Sequence, residues 1–373
     1  MRIAVNTRFV IKDKLEGIGW FSWESASRMA AQHPEHEFIF LFDRAYDPEF
    51  VALANVEGRV LFPPARRPFL WKIWFDYAIP RALKRIGADL FVSLDGFCSL
   101  KTSLPTYMVV HDLAFEHFPD HVPKDVKQFY TRYSPQYANH AKRIGTVSEA
   151  TKKDIISKYK IAPEKIDVLY NGAGNLFRVL NDEEKLQARK SFTAGSRYFV
   201  YVGSLNPRKN LERLFQAFDA YSKSSPNGFK LLVVGRMAWK SGPIQKALEK
   251  MEFADSVVLT GHLAPEKLAL AIGGAEAMVY PSLFEGFGIP ILEAFTADVP
   301  VITSNISSMP EVAGDAAILV DPYSVDAIKD AMLQLENTPN LRTKLIAKGQ
   351  VQSQKFSWDQ TASRLWEGIN KMI

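Results

Sequence analysis

Ala277-Met278-Val279-Tyr280-Pro281-Ser282-Leu283-Phe284-Glu285-Gly286-Phe287-Gly288-Ile289-Pro290-Ile291-Leu292-Glu293-Ala294-Phe295 passes through three local structures in turn. The apolar run at its head has the length and residue types of a buried strand, and Pro281-Ser282 closes it. Gly286 and Gly288 then mark a turn where a ligand can approach the main chain closely. From Ile291 onward the chain reads as a helix, with Pro290 placed where a first-turn proline is tolerated. Unpaired backbone N–H groups at such a helix start attract anions and hydroxyl oxygens. Glu285 stands at the loop mouth and Glu293, eight residues on, about one turn inside the helix, so both can face one ligand. Ionised carboxylates only accept hydrogen bonds, which suits them to sugar hydroxyls. The segment reads as a polyol site.

Upstream, Val200-Tyr201-Val202-Gly203-Ser204 is a strand ending in a glycine turn, followed by Asn206-Pro207-Arg208-Lys209-Asn210. Leu211, Leu214, Phe215 and Phe218 then repeat with helical spacing. Asn210 is the expected N-cap. Arg208 and Lys209 are thereby held at a helix mouth beside its positive dipole end, a seat for a diphosphate. The plain alternative is a solvated basic turn.

The string Tyr-Pro-Ser-x-x-Glu-Gly-Phe-Gly-Ile-Pro-x-x-Glu-Ala, from Tyr280 to Ala294, resembles the Glu-x7-Glu signature of retaining, nucleotide-sugar-dependent glycosyltransferases of family 4. That resemblance covers nearly the whole chain. It implies the GT-B fold, an α/β architecture of two Rossmann-like domains facing each other across a cleft. It assigns residues 1–172 to an acceptor domain, 173–356 to a nucleotide-sugar donor domain, and 357–373 to a final helix crossing back to the first. By the family's pattern Arg208 and Lys209 contact the donor diphosphate. Glu293 accepts hydrogen bonds from the donor ribose. Glu285, Gly286 and the backbone N–H groups of Phe287, Gly288 and Ile289 hold the sugar, with Gly203 nearby. The same pattern places the glycine loop of Gly17 and Gly19 over the donor phosphates and the acceptor, and His111 close to the transferred sugar. Glu285, His111, Arg208 and Lys209 are the expected catalytic set.

Length and composition agree with this. A chain of 373 residues suits two domains of ordinary size. A hydrophobic share of 47% with 23% charged residues is that of a globular protein in water, and no apolar run approaches the ~20 residues of a membrane span. Residues 3–6 enter a strand directly with no signal-peptide core, and the single cysteine, Cys98, excludes an intrachain disulfide. A reducing cytoplasm is expected. The net charge of +5 fits a diphosphate donor or an anionic membrane surface as well as nucleic acid. No zinc-finger spacing, basic-region heptad or RNA-binding aromatic motif occurs, so nucleic acid is not an expected partner.

Along the chain, short β-rich runs alternate with amphipathic segments, the pattern of parallel sheets in α/β domains. Strands are expected at 3–6, 38–42, 90–93, 106–110 and 144–147. A second series lies at 198–203, 231–235, 257–260, 277–280, 301–304 and 317–320. Helices are expected at 20–31, 71–85 and 125–140, and a hinge in the turn-rich 171–175.

The remaining signals are weaker. Glu16-Gly17-Ile18-Gly19-Trp20 is a poor dinucleotide fingerprint, which disfavours a nicotinamide enzyme. His111 follows a strand, where ligands collect in parallel sheets; Asp112 either orients its imidazole or caps the next turn. Ser148 is a candidate N-cap. No Asp-x-Asp occurs, and Pro119 between His117 and His121 argues against a helical metal pair. No metal and no cofactor are expected, the leaving diphosphate being neutralised by Arg208 and Lys209. Arg66, Arg67, Lys72, Arg81, Lys84 and Arg85 interleave with Phe69, Trp71, Trp74, Phe75 and Tyr77. This segment reads either as a core helix with aromatics inward, the favoured reading, or as a dock for anionic lipid.

The function expected is hexosyl transfer from a nucleoside-diphosphate sugar (GDP-mannose, UDP-glucose or UDP-N-acetylglucosamine) to a glycan or lipid-linked acceptor in cell-surface glycoconjugate synthesis. The rivals are a related epimerase or hydrolase and a non-catalytic nucleotide-sugar-binding protein.

Overall fold

A computed structural model describes residues 1–12, 14–225, 228–236 and 242–373. The chain divides into two compact units, Met1–Gly172 with Ser357–Ile373, and Ala173–Phe356.

In the first unit the strands are β1 (Arg2–Asn6), β2 (Glu37–Phe42), β3 (Val56–Val60), β4 (Leu90–Ser93), β5 (Thr106–Val110), β6 (Arg143–Thr146) and β7 (Ile166–Val168). They form one parallel sheet in the order β3-β2-β1-β4-β5-β6-β7. The second unit holds β8 (Tyr198–Val202), β9 (Lys230–Val234), β10 (Val257–Gly261), β11 (Ala277–Tyr280), β12 (Val301–Ser304) and β13 (Ala317–Val320), also parallel, in the order β10-β9-β8-β11-β12-β13. Both are doubly wound sheets whose order reverses beside the first strand, and a ligand crevice opens at such a reversal. The central strands are continuous apolar runs because helices cover both faces. β1 is buried from Ile3 to Asn6, and β8 and β11 throughout.

β3 was not expected from the sequence. Its VEGRV carries a glycine and two charges, and it survives as a mostly exposed edge strand on β2. The first helix starts earlier than expected, at Gly17, and runs to Gln32. The aromatic-basic segment forms one helical rod, Pro68–Ile73, Trp74–Ala78 and Ile79–Ile86. Pro80 brings no N–H and crowds the preceding turn. The rod accommodates it with a wider π turn, in which Ile79 N–H bonds Trp74 O.

The final helix, Trp358–Asn370, packs on helix Gly17–Gln32 within the first unit. Trp366 stacks on His33 at 3.9 Å, Arg28 bonds Asp359 at 3.0 Å, and Thr361 Oγ1 donates to Tyr170 O at 3.1 Å.

One buried carboxylate ties the second unit together. Glu276, just before β11, accepts from Arg189 at 2.8 Å, from both donors of Arg197 at 2.8 Å, and from Arg342. Burial alone would raise its carboxyl, but the hydrogen bonds of Arg197 and the three guanidinium charges hold it below the usual range. Removing it strands cations belonging to two helices and a strand edge. Glu276→Ala should cost about 3–5 kcal/mol in urea unfolding; a loss below about 1 kcal/mol would reduce the cluster to surface decoration.

Candidate active site

The loops that follow β8 and β11 meet in the second unit because those two strands are neighbours at the reversal of the sheet. From the β8 side comes the 3-10 turn Pro207–Lys209, leading into helix Leu211–Ser224. From the β11 side comes the glycine loop, leading into helix Ile289–Thr296. Gly288 has φ 105°, a conformation strained for any side chain, so the turn that opens this helix depends on glycine.

Three charged side chains close on one another here. Lys209 Nζ lies 2.6 Å from Glu285 Oε1 and 2.9 Å from the Tyr280 hydroxyl. Arg208 Nη1 reaches Glu285 Oε2 at 3.2 Å and also donates to Phe284 O. Glu285 is 7% exposed. Burial pushes its carboxyl up, but the charges of Lys209 and then Arg208 outweigh that and hold it at about 2. Two cations thus face this one carboxylate, with two helix N-termini beside it.

The loop is braced from behind. Ser307 Oγ accepts from Glu285 N at 3.2 Å and donates to its carbonyl at 2.8 Å. Ser308 Oγ lies 3.0 Å from Glu285 O and 2.8 Å from Phe287 O. Gly203 ends β8 with its N–H on Val234 O at 2.9 Å. The N–H groups of Gly288 and Ile289 meet no acceptor among the described residues, as expected at an uncapped helix start.

Asn210 stands at the N-cap position expected of it, but its side chain caps no helix N–H. It is left-handed (φ 63°), and its Nδ2 donates to Pro281 O at 2.9 Å and Pro322 O at 2.7 Å. It staples the β8 loop to the β11 loop instead. The reason is tertiary: the two carbonyls hold its amide nitrogen, the left-handed backbone departs from the extended form of a cap, and Arg213 Nη1 takes its Oδ1 at 3.0 Å.

Glu293 sits in the second turn of helix Ile289–Thr296, half-buried. Its carboxyl has no hydrogen-bond or ionic partner among the described residues, and burial raises it to about 8. Of the paired acids and paired cations, three touch directly. The fourth stands on the helix that their loop opens.

In the first unit the reversal lies between β1 and β4, and it brings together residues that the sequence did not single out. Arg8, two residues past β1, donates to Asp95, two past β4, and both side chains are almost fully buried. Phe97, Phe9 and Phe75 surround the guanidinium at 4.5, 4.8 and 5.2 Å. Asp95, Phe97, His111, Asp112, Phe115 and Tyr130 line part of a cavity of about 190 Å³. His111 follows β5, and its Nε2 donates to Leu94 O at 2.7 Å. Burial lowers its pKa, so the ring is neutral with Nδ1 as acceptor. Asp112 does not orient that imidazole through this bond; its Oδ1 caps Ala114 N at 2.9 Å.

The two N-terminal glycines separate. Gly17 and Gly19 fall in the first turn of helix Gly17–Gln32, not in a loop before it. A Cβ on Gly19 would meet Phe9 O at 2.7 Å, so that glycine serves the chain's own packing. A Cβ on Gly17 would meet nothing within 4 Å.

The chain is similar to known proteins along its whole length. Residues 16–173 match the family described as Glycosyltransferase Family 4, and residues 182–352 the family described as Glycosyl transferases group 1. O-antigen chain mannosyltransferase B of Escherichia coli is 27% identical over 95% of this chain and 96% of its own. O-antigen chain mannosyltransferase RfbU of Salmonella typhimurium is 26% identical over 78% and 77%. Among solved structures, Anabaena Alr3699/HepE, crystallised with UDP and glucose, superposes with a TM-score of 0.78 at 15% identity over 99% of each chain. WaaG, a glycosyltransferase involved in lipopolysaccharide biosynthesis, gives 0.74 at 15% identity over 99% of each. Matched unit by unit, and similar from end to end to glycosyltransferases in sequence and in fold, this chain belongs to the group 1, family 4 glycosyltransferases of GT-B fold.

Proposed function

We propose that the chain transfers a mannosyl group from a nucleoside-diphosphate mannose, with retention of configuration and without a metal, to a glycan or lipid-linked acceptor in cell-surface polysaccharide synthesis. The observation that carries this is Glu285 locked between Lys209 and Arg208 where the β8 and β11 loops meet. Mannose is preferred because the two similar relatives above are named as mannosyltransferases.

In this reading the second unit holds the donor. Its diphosphate meets Arg208 and Lys209, each charge-assisted bond contributing about 1.5–3 kcal/mol. Glu293 accepts from the ribose hydroxyls. Glu285 and the N–H groups of Gly288 and Ile289 hold the sugar. The bond from the sugar C1 to the diphosphate oxygen breaks, its electron pair leaves with the diphosphate, and an oxocarbenium-like centre develops. An acceptor hydroxyl attacks from the same face and passes its proton to the departing phosphate oxygen. Because Glu285 is tied to two cations, it positions and balances charge instead of attacking C1. The first unit, with neutral His111 lining the aromatic cavity, receives the acceptor.

The test is a thermal-shift and turnover panel of GDP-mannose, UDP-glucose and UDP-N-acetylglucosamine. GDP-mannose should raise the melting temperature most and alone support transfer, with the α configuration of the donor kept in the product by NMR and the rate unchanged by EDTA. Stabilisation by UDP-glucose alone would overturn the donor, an inverted product the stereochemistry, and loss to EDTA restored by manganese the metal independence.

A further inference from the structure

The rod Pro68–Ile86 divides its aromatic residues between two faces. Trp74 and Phe75 are fully buried in the core of the first unit, and Trp71 is half-buried there with its Nε1 on Ala65 O at 2.9 Å. The opposite face points an apolar line into solvent: Phe69 is 62% exposed, Ile73 39% and Tyr77 54%. These follow one another at intervals of four, and the π turn between Ile73 and Tyr77 widens the spiral so that they stay aligned. Phe62, 83% exposed, stands on the loop that Trp74 Nε1 holds to the rod through Leu61 O at 3.3 Å.

Cations frame this line at both ends. Arg66 and Arg67 are exposed before it, and Arg81, Lys84 and Arg85 after it. None of the five pairs with a carboxylate among the described residues. The one acid of the rod, Asp76, is buried and taken by Lys72. Exposed apolar side chains of this size, in one line and flanked at both ends by cations with no carboxylate partner among the described residues, are unusual on a surface meant only for water.

We propose that this face docks the protein on an anionic lipid bilayer, with Phe62, Phe69, Ile73 and Tyr77 entering the headgroup boundary and the five cations meeting lipid phosphates. Aromatic and aliphatic side chains on one side of a helix, flanked by Lys and Arg, are what an interfacial helix requires. A second copy fits poorly, because a two-fold contact would bring the same five cations against themselves. The assignment is independent of which sugar the enzyme transfers.

Sedimentation of the full chain with vesicles tests it. Vesicles of phosphatidylcholine with phosphatidylglycerol in equal parts should carry the protein down, those of phosphatidylcholine alone should not, and salt should weaken the association. Each basic residue near an anionic surface strengthens binding about fivefold, so Arg81→Glu, Lys84→Glu and Arg85→Glu together should weaken it about 100-fold or more. Phe69→Ser, Ile73→Ser and Tyr77→Ser together should weaken it about tenfold or more. Both variants should keep the donor-induced thermal shift of the wild type, which reads the second unit. The proposal is overturned if wild type ignores the anionic vesicles, or if the charge-reversed variant binds them as wild type does. Binding to heparin without binding to vesicles would likewise overturn it, and point to a polyanion partner.

Discussion

A chain carrying Arg208→Ala with Lys209→Ala should turn over its donor at least about 10³-fold more slowly than wild type. In the proposed reaction the leaving diphosphate gathers negative charge as the bond from the sugar C1 to its oxygen breaks, and these two cations, at the β8 and β11 loops, would meet it. Part of the effect would come from Glu285. Its carboxyl is buried and held at about 2 by the same two residues, so removing both leaves an unpaired charge that burial drives toward protonation. Arg208→Ala alone separates the two causes. Lys209 still holds Glu285 at 2.6 Å, the fold should melt near the wild-type temperature, and turnover should still drop by about 10²-fold. A single variant that melts normally and turns over normally would remove Arg208 from the diphosphate seat. Acid should act on the same cluster. The folded carboxyl lies below its unfolded value, so the stability it confers is full above about pH 4.5 and is lost as pH falls toward 2.

Glu293→Ala should weaken donor affinity by about 100-fold or more, the loss of two charge-assisted hydrogen bonds to vicinal hydroxyls. Burial raises this carboxyl to about 8 with no partner among the described residues to offset it, so the ligand-free protein should hold it protonated at neutral pH. Hydroxyls that donate to it favour the ionised form. Donor binding near neutral pH should therefore release a proton, and affinity should tighten as pH rises toward 8. Calorimetry in buffers of different ionisation heat measures that proton directly, and it should vanish in Glu293→Gln. The stability of the ligand-free protein should move the opposite way. Its folded pKa is above the unfolded one, so the fold is favoured at low pH and loses stability as pH rises through the window from 4.5 to 8. Glu293→Gln should flatten that slope. Donor binding with no proton released by the wild type would sink the ribose role.

The glycine loop and the Arg208-Lys209 turn were legible because each is a local event. A strand of apolar residues, a glycine, and a helix stripe at fixed spacing announce themselves within about fifteen residues. Arg8 and Asp95 were not legible. Each lies only two residues beyond a strand end, but they are 87 positions apart, and nothing in either segment names the other. Their meeting depends on β1 lying beside β4. Asn210 makes no cap for a like reason: the carbonyls that fix its amide nitrogen belong to the distant Pro281 and Pro322, and its Oδ1 accepts from Arg213 instead. The basic aromatic segment was read as a choice between core and surface. The rod takes both, with Trp74 and Phe75 inward and Phe69, Ile73 and Tyr77 outward.

The sequence by itself determined the α/β class, most strands and helices, and the kinds of side chain at the two loops, because propensity, periodicity and turn chemistry act over short stretches of chain. Strand order belongs to the tertiary structure alone. It decided that Lys209 and Arg208 would pair with Glu285, that Glu293 would meet no partner among the described residues, and that Arg8 would be buried against Asp95. Burial and charge pairing are set by neighbours distant in the chain, and it is those neighbours that fix how each carboxyl titrates.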